Sequence, residues 1–224
     1  MLIWQFVLLG LFAYLLGSVP AAYIAAHLSH GIDLRKAGSG NVGASNVAAM
    51  TSKMLAIPVF IFDIGKGYLA VWLAGVIGMD QFYQIIIGLL AVAGHNWPIF
   101  LGFRGGRGIA TSLGVVLAVS PWLALIMLVT AFSLFPLKHL ALGVLIAVSA
   151  LPFLALFAAS PLGIEDGAGA CGGFVLLFLI VIFRRLTPAR SAISRDTPAG
   201  KLLLNRLLFD RDIRDRDAWV KRGG

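Results

Sequence analysis

Long apolar runs separated by short polar, glycine-rich stretches set the plan of this chain. Residues 2–28, from Leu2 through Leu28, carry no Asp, Glu, Lys or Arg, and the run exceeds the roughly 18 residues at which an apolar stretch argues for a bilayer crossing. Further apolar runs lie at about 54–78, 82–101, 109–136, 140–159 and 168–183. The run at 109–136 is interrupted at Ser120-Pro121. Two full crossings need about 40 residues, so this stretch predicts two short helices or a re-entrant pair. The pattern predicts an all-α polytopic membrane protein with about seven transmembrane helical segments, short or re-entrant ones included. The opening Met1-Leu2-Ile3-Trp4-Gln5 has no basic residue, so the first segment is read as a permanent helix, not a cleaved signal peptide.

Composition agrees with the pattern. The chain has 224 residues, 59% hydrophobic and 12% charged, with a mean hydropathy of +0.93. Soluble domains carry about 25% charged residues, so a disordered chain is excluded and an ordinary soluble domain is not expected. One cysteine, Cys171, removes any disulfide framework and any multi-cysteine metal site. The net charge of +8 is unevenly placed. Residues 1–183 hold 7 Lys/Arg against 5 Asp/Glu, and residues 184–224 hold 11 against 5. Two parts follow: a transmembrane domain over 1–183 and a basic tail over 184–224. In the tail, Leu202, Leu203, Leu207, Phe209, Ile213 and Trp219 would form an apolar stripe if 199–222 were one interfacial amphipathic helix. A solvated tail is the alternative. Nucleic acid is not expected as a partner, because five aspartates interleave with the tail's arginines.

The loops at 30–53, 102–108 and 136–139 and the tail all contain Lys or Arg, whereas the opposing loops contain Asp80, or Glu165 with Asp166. The positive-inside rule then puts the N-terminus outside and the C-terminus in the cytoplasm. Both glycine-rich loops fall on the cytoplasmic face. Trp4 and Trp97, near span ends, are expected as interface anchors, and His27, His30 and His139 as interfacial residues.

The first loop reads Gly38-Ser39-Gly40-Asn41-Val42-Gly43-Ala44-Ser45-Asn46. Its formal G-x-G-x-x-G, with Asp63 twenty residues on, follows a membrane helix and not a strand, so it is not a dinucleotide fingerprint. The glycines nonetheless let successive N–H groups face an anion. Ser39, Asn41, Ser45 and Asn46 add donors, and a helix starting near Asn46 would point its positive end there. The second loop runs from Gly94-His95 to Gly108-Ile109-Ala110-Thr111. Arg104 and Arg107 flank Gly105-Gly106, and no Walker A pattern is present. Arginine forks suit phosphate oxygens. Two phosphate-suited loops on one membrane face point to lipid headgroup chemistry. Asp63 and Lys66, the charges inside a span, stand at i,i+3 and are expected to pair with each other, which disfavours a transport pathway.

These two loops, with Asp63-x-x-Lys66-Gly67, closely resemble the signatures of the bacterial glycerol-3-phosphate acyltransferases that use acyl-phosphate. The resemblance extends over about 1–183. It implies a phospholipid-synthesis enzyme of the bacterial cell membrane. Such an enzyme transfers a fatty acyl group from acyl-phosphate to the 1-hydroxyl of glycerol-3-phosphate, giving lysophosphatidic acid and phosphate, without metal or cofactor. It implies Ser39 and Arg107 as catalytic residues. Gly38, Gly40, Asn41, Gly43, Ser45, Asn46, His95, Arg104, Gly105, Gly106, Gly108 and Thr111 would bind substrate.

The sequence departs from the family at several places. Ala49 stands where the family has arginine, and Arg104 and Arg107 replace lysines. Leu140-Ala141-Leu142-Gly143 lacks the family's serines, and Phe183-Arg184-Arg185-Leu186-Thr187-Pro188-Ala189-Arg190 lacks its His and Asn. Asn205-Arg206 with Asp212 resembles a displaced remnant of that motif, and Arg184 and Arg185 would restore its charge. The alternatives are a member with altered acyl donor or acceptor, and a non-catalytic membrane protein that binds lipid or phosphate.

Overall fold

A computed structural model describes residues 3–188, 194–215 and 218–219. Ten α-helices are found among them: α1 (Ile3–Ser18), α2 (Ala21–His30), α3 (Ala44–Met50), α4 (Lys53–Val76), α5 (Gln81–Asn96), α6 (Ile109–Val119), α7 (Pro121–Ser133), α8 (Leu140–Phe157), α9 (Gly167–Leu186) and α10 (Ala199–Phe209). No strand occurs among the described residues. Five helical stretches are long and apolar enough to cross a membrane: Ile3–His30, Lys53–Val76, Gln81–Leu101, Leu140–Phe157 and Gly167–Leu186. The apolar helices α6 and α7 are shorter. Large apolar side chains such as Leu8, Phe12, Trp72, Trp122 and Phe153 face outward, as lipid contact requires. The chain is a multi-pass membrane protein.

Side chains at the helix ends explain the breaks. Ser120 accepts a hydrogen bond from the Leu123 N–H at 3.1 Å, and Pro121 opens α7. Serine at the cap and proline at the first position form a helix start, so 109–136 is two short helices as expected. Ser120 also donates to the Leu162 carbonyl at 2.6 Å. The first span, expected unbroken over 2–28, divides at Val19-Pro20 because proline has no N–H to continue the ladder. The Val19 carbonyl accepts from Lys66 Nζ at 2.6 Å, so an ammonium 47 residues away takes up the broken turn.

The main core lies among α5 to α9, where Ile85, Val115, Leu123, Leu151, Phe174 and Leu177 are fully enclosed. Helix α4 crosses α6 closely. A methyl group added to Gly67 would meet the Thr111 carbonyl, and one added to Gly114 would meet the Ile64 carbonyl. Small residues permit such backbone approach where lipid gives helices little hydrophobic drive to associate. This crossing brings the α4 charges beneath the start of α6.

The tail helix is shorter than the expected 199–222. It ends at Phe209, and Asp210 takes the left-handed conformation, φ 55°. Leu202 is buried, whereas Leu203 and Leu204 are exposed. Helix α10 packs against α8 and α9. Residues 216–217 and 220–222 of the expected helix lie outside the described residues.

Replacing Gly114 with leucine should force α6 off α4. Overpacking of this kind costs about 1–3 kcal/mol, so the thermal unfolding midpoint in detergent should fall. An unchanged midpoint would refute the close crossing.

Candidate functional site

The first glycine loop is organised from within by Asn46. This residue is 2% exposed. Its Nδ2 lies 3.0–3.2 Å from the carbonyls of Leu34, Ala37 and Asn41, and its Oδ1 accepts from the Ser39 N–H at 3.1 Å. One amide therefore ties four points of a loop that has little regular structure of its own. Gly38 and Gly40 adopt positive φ, 58° and 71°, which non-glycine residues rarely do. The Ser39 hydroxyl accepts from the Asn41 N–H at 3.4 Å. Ser39 and Asn41 are half-buried and Ser45 is exposed. Gly43 precedes α3, which begins near Asn46 as expected. At the loop's entry, the Arg35 guanidinium holds the Asp33 carboxyl below the usual carboxylate range through a 2.8 Å ion pair. A lowered carboxyl pKa stabilises the fold above the unfolded value of about 3.9 and loses that effect only on further acidification, so this pair adds no pH dependence near neutrality.

The second loop is gripped from outside. The Gly106 N–H donates to the His95 carbonyl at 3.0 Å. On the other side, Arg184 Nε donates to the Gly106 carbonyl and Nη2 to the Gly105 carbonyl, both at 2.9 Å. The Arg184 guanidinium also lies over Trp97, 5.8 Å from the ring centre. Trp97 is half-buried. Gly108 starts α6 with φ 73°, Thr111 is fully buried one turn on, and Arg104 is exposed with no side-chain partner among the described residues.

The two loops touch. A Cβ on Gly106 would come within 2.7 Å of the Val42 carbonyl and would collide with His95 Nε2. Only glycine fits there. Behind the contact, His95 Nδ1 lies 3.4 Å from Asp63 Oδ1, and the same oxygen pairs with Lys66 Nζ at 2.7 Å. The expected Asp63–Lys66 pair therefore forms, with His95 and the Val19 carbonyl added to it. A cavity of about 10 Å³, room for about one water, is bounded by Ser18, Val42, Asp63, Lys66, His95 and Gly105 among others. Neither Ser39 nor Arg107 lines it.

Arg107 turns toward the C-terminal segment. Its Nη1 donates to the Arg184 carbonyl at 2.9 Å, and its Nε lies 3.3 Å from Asp210 Oδ1. Arg185 is buried and donates to the Leu207 carbonyl at 2.7 Å and the Ala141 carbonyl at 2.8 Å. Arg206 pairs with Asp212 at 2.7 Å and reaches the Leu186 carbonyl at 2.8 Å, while Ser194 donates to the other Asp212 oxygen at 2.8 Å. Asn205, Arg206 and Asp212 thus form a buried clasp. Arg184 and Arg185 act through main-chain carbonyls as well as by charge.

Sequence reasoning missed the Asp63–His95 contact, the grip of Arg184 and the approach of Asp210 to Arg107. These join residues 32, 78 and 103 positions apart, and no local pattern signals them. Replacing Asn46 with alanine should leave buried carbonyls unpartnered at about 1–3 kcal/mol, whereas Ser45→Ala should stay within about 0.5 kcal/mol. Unfolding in detergent measures both, and equal effects would contradict the scaffold role of Asn46.

The chain is similar to known proteins over most of its length. The family profile described as "Glycerol-3-phosphate acyltransferase" matches residues 7–194. Two Dehalococcoides mccartyi proteins are similar. Glycerol-3-phosphate acyltransferase 5 is 44% identical, covering 97% of this chain and 93% of its own. Glycerol-3-phosphate acyltransferase 4 of another strain is 46% identical, covering 93% and 90%. A crystal structure of PlsY (YgiH), an integral membrane glycerol 3-phosphate acyltransferase in its glycerol 3-phosphate form, superposes with a TM-score of 0.74 at 34% identity, covering 94% of this chain and 96% of that one. The lysophosphatidic acid form gives 0.73 at 33% identity, covering 96% and 98%. With its paired glycine loops joined at one end of the helical bundle, the chain belongs to the glycerol-3-phosphate acyltransferase family.

Proposed function

We propose that this protein transfers a fatty acyl group from acyl-phosphate to the 1-hydroxyl of glycerol-3-phosphate, the first acylation of phospholipid synthesis. The hydroxyl oxygen bonds to the acyl carbonyl carbon, the bond from that carbon to the phosphate oxygen breaks, and lysophosphatidic acid and phosphate result. The observation that carries this reading is the meeting of the two glycine loops at Val42 and Gly106. Arg107, Arg184 and Arg185 gather beside them within electrostatic range of the Asp210 carboxylate. Three cations against one carboxylate leave a positive excess suited to phosphate groups.

Acyl-phosphate is already an activated mixed anhydride, so positioning and charge stabilisation suffice, and the scheme uses no enzyme nucleophile, metal or cofactor. Ser39 orients the acceptor hydroxyl, while Gly38, Asn41 and Gly43 offer backbone and amide donors to one phosphate and Gly40, whose N–H donates to the Ala37 carbonyl at 3.1 Å, shapes the turn between them. Arg104 and Arg107 neutralise the other, and Gly105, Gly106, Gly108 and Thr111 shape the backbone that carries them into α6. His95 and Asn46 support this work by holding the loop backbones. The acyl chain lies among the apolar helices. The placement of Lys and Arg supports seven segments with the N-terminus outside and both loops in the cytoplasm. The described part of the tail, 184–188 and 194–215, then lies at the cytoplasmic end of the transmembrane domain, 1–183.

Purified protein in detergent should release phosphate only when given acyl-phosphate and glycerol-3-phosphate together, with lysophosphatidic acid as the lipid product. Ser39→Ala and Arg107→Ala should each lower kcat/KM by about 10²–10³, the scale for losing one preorganised donor. Use of acyl-CoA alone would select an altered donor. Binding of glycerol-3-phosphate without turnover would select a non-catalytic role, and solute flux in liposomes would select transport.

A further inference from the structure

A loop built as Gly105-Gly106-Arg107-Gly108 cannot hold its own shape, because glycine leaves the backbone many conformations. Something outside must fix its peptide planes, and Arg184 is placed to do so. One guanidinium takes two successive carbonyls, Gly105 and Gly106, at 2.9 Å each. A carbonyl and the following N–H point in opposite directions across a planar peptide. Turning the Gly105 carbonyl to Arg184 therefore aims the Gly106 N–H at the His95 carbonyl, where it is found at 3.0 Å. Turning the Gly106 carbonyl to Arg184 aims the Arg107 N–H away from Arg184, and this N–H has no backbone partner among the described residues. Arg184 then offers its own carbonyl to Arg107 Nη1 at 2.9 Å. Trp97 lies beneath the guanidinium and packs on Phe183, ring centres 5.8 Å apart, which limits the side chain's freedom.

We propose that Arg184 is a positioning residue for acyl transfer: it sets the peptide planes of the second glycine loop and the direction of Arg107 without touching substrate. This rests on the function proposed above. A lysine keeps the charge but not the planar fork that reaches two carbonyls at once.

The test compares Arg184→Lys, Arg184→Gln and Arg184→Ala in the full-length protein by kinetics, thermal unfolding and amide hydrogen exchange. All three should lower kcat by about 10–100-fold, the scale of a misplaced catalytic group. KM for glycerol-3-phosphate should stay within about threefold, since uniform binding is not what is lost. Millimolar guanidinium should restore the alanine variant by about tenfold at unchanged unfolding temperature, and should not restore Arg107→Ala. Exchange at Gly106 should rise by about tenfold in the glutamine variant while α4 stays protected. That readout needs no turnover, so it still decides if the wild-type protein proves inactive on acyl-phosphate. Wild-type kinetics in the lysine and glutamine variants would overturn the proposal. So would activity lost only in step with unfolding and never rescued, or unchanged protection at Gly106.

Discussion

The contact between Gly106, the His95 ring and the Val42 carbonyl is the constraint on which the rest depends. It joins two loops through residues 64 positions apart into one surface, and it tolerates no side chain. The adjacent interactions preserve that closeness. Lys66 reaches from Asp63 to the Val19 carbonyl at the break between α1 and α2, and Asp63 faces His95. A buried ion pair of this kind gains little net stability over apolar packing, yet removing one partner costs about 3–5 kcal/mol. Its value lies in specifying one arrangement, with α1, α4 and α5 locked in register behind the site.

The two loops obtain their order differently. The first is stitched by a residue of its own, Asn46, whose amide serves four backbone groups. The second depends on the far end of the domain, through Arg184 and the C-terminal segment. The tail is therefore coupled to the centre: Asp210 touches Arg107, and the Arg206–Asp212 clasp secures the turn that carries Asp210. Arg185 reaches the Ala141 carbonyl, so the segment that lacks the family's serines still receives a polar contact, through its backbone.

Much of the fold was legible because apolar run length and interruption are local signals. Ser120-Pro121 marked the break between α6 and α7, and the structure caps it as serine and proline should. The break at Pro20 was hidden by an uncharged, apolar setting, although the proline itself was the available sign. A stripe of leucines says nothing about where a tail helix stops, and left-handed Asp210 ends α10. In the candidate site, glycines and arginines marked the loops, but residue type does not distinguish a donor facing a ligand from one facing its own loop. Asn46 shows this most clearly. The second arginine pair, Arg184-Arg185, read as bulk charge. Only folding reveals which carbonyls, 22 to 79 residues away, each fork meets.

The central claim is that the two loops form one anion-handling surface. A crystal structure with glycerol-3-phosphate bound tests it most directly. The account predicts the phosphate seated against residues 38–46 or 104–108, with the 1-hydroxyl directed toward the Val42–Gly106 junction. A phosphate bound away from both loops, with the junction untouched, would contradict it.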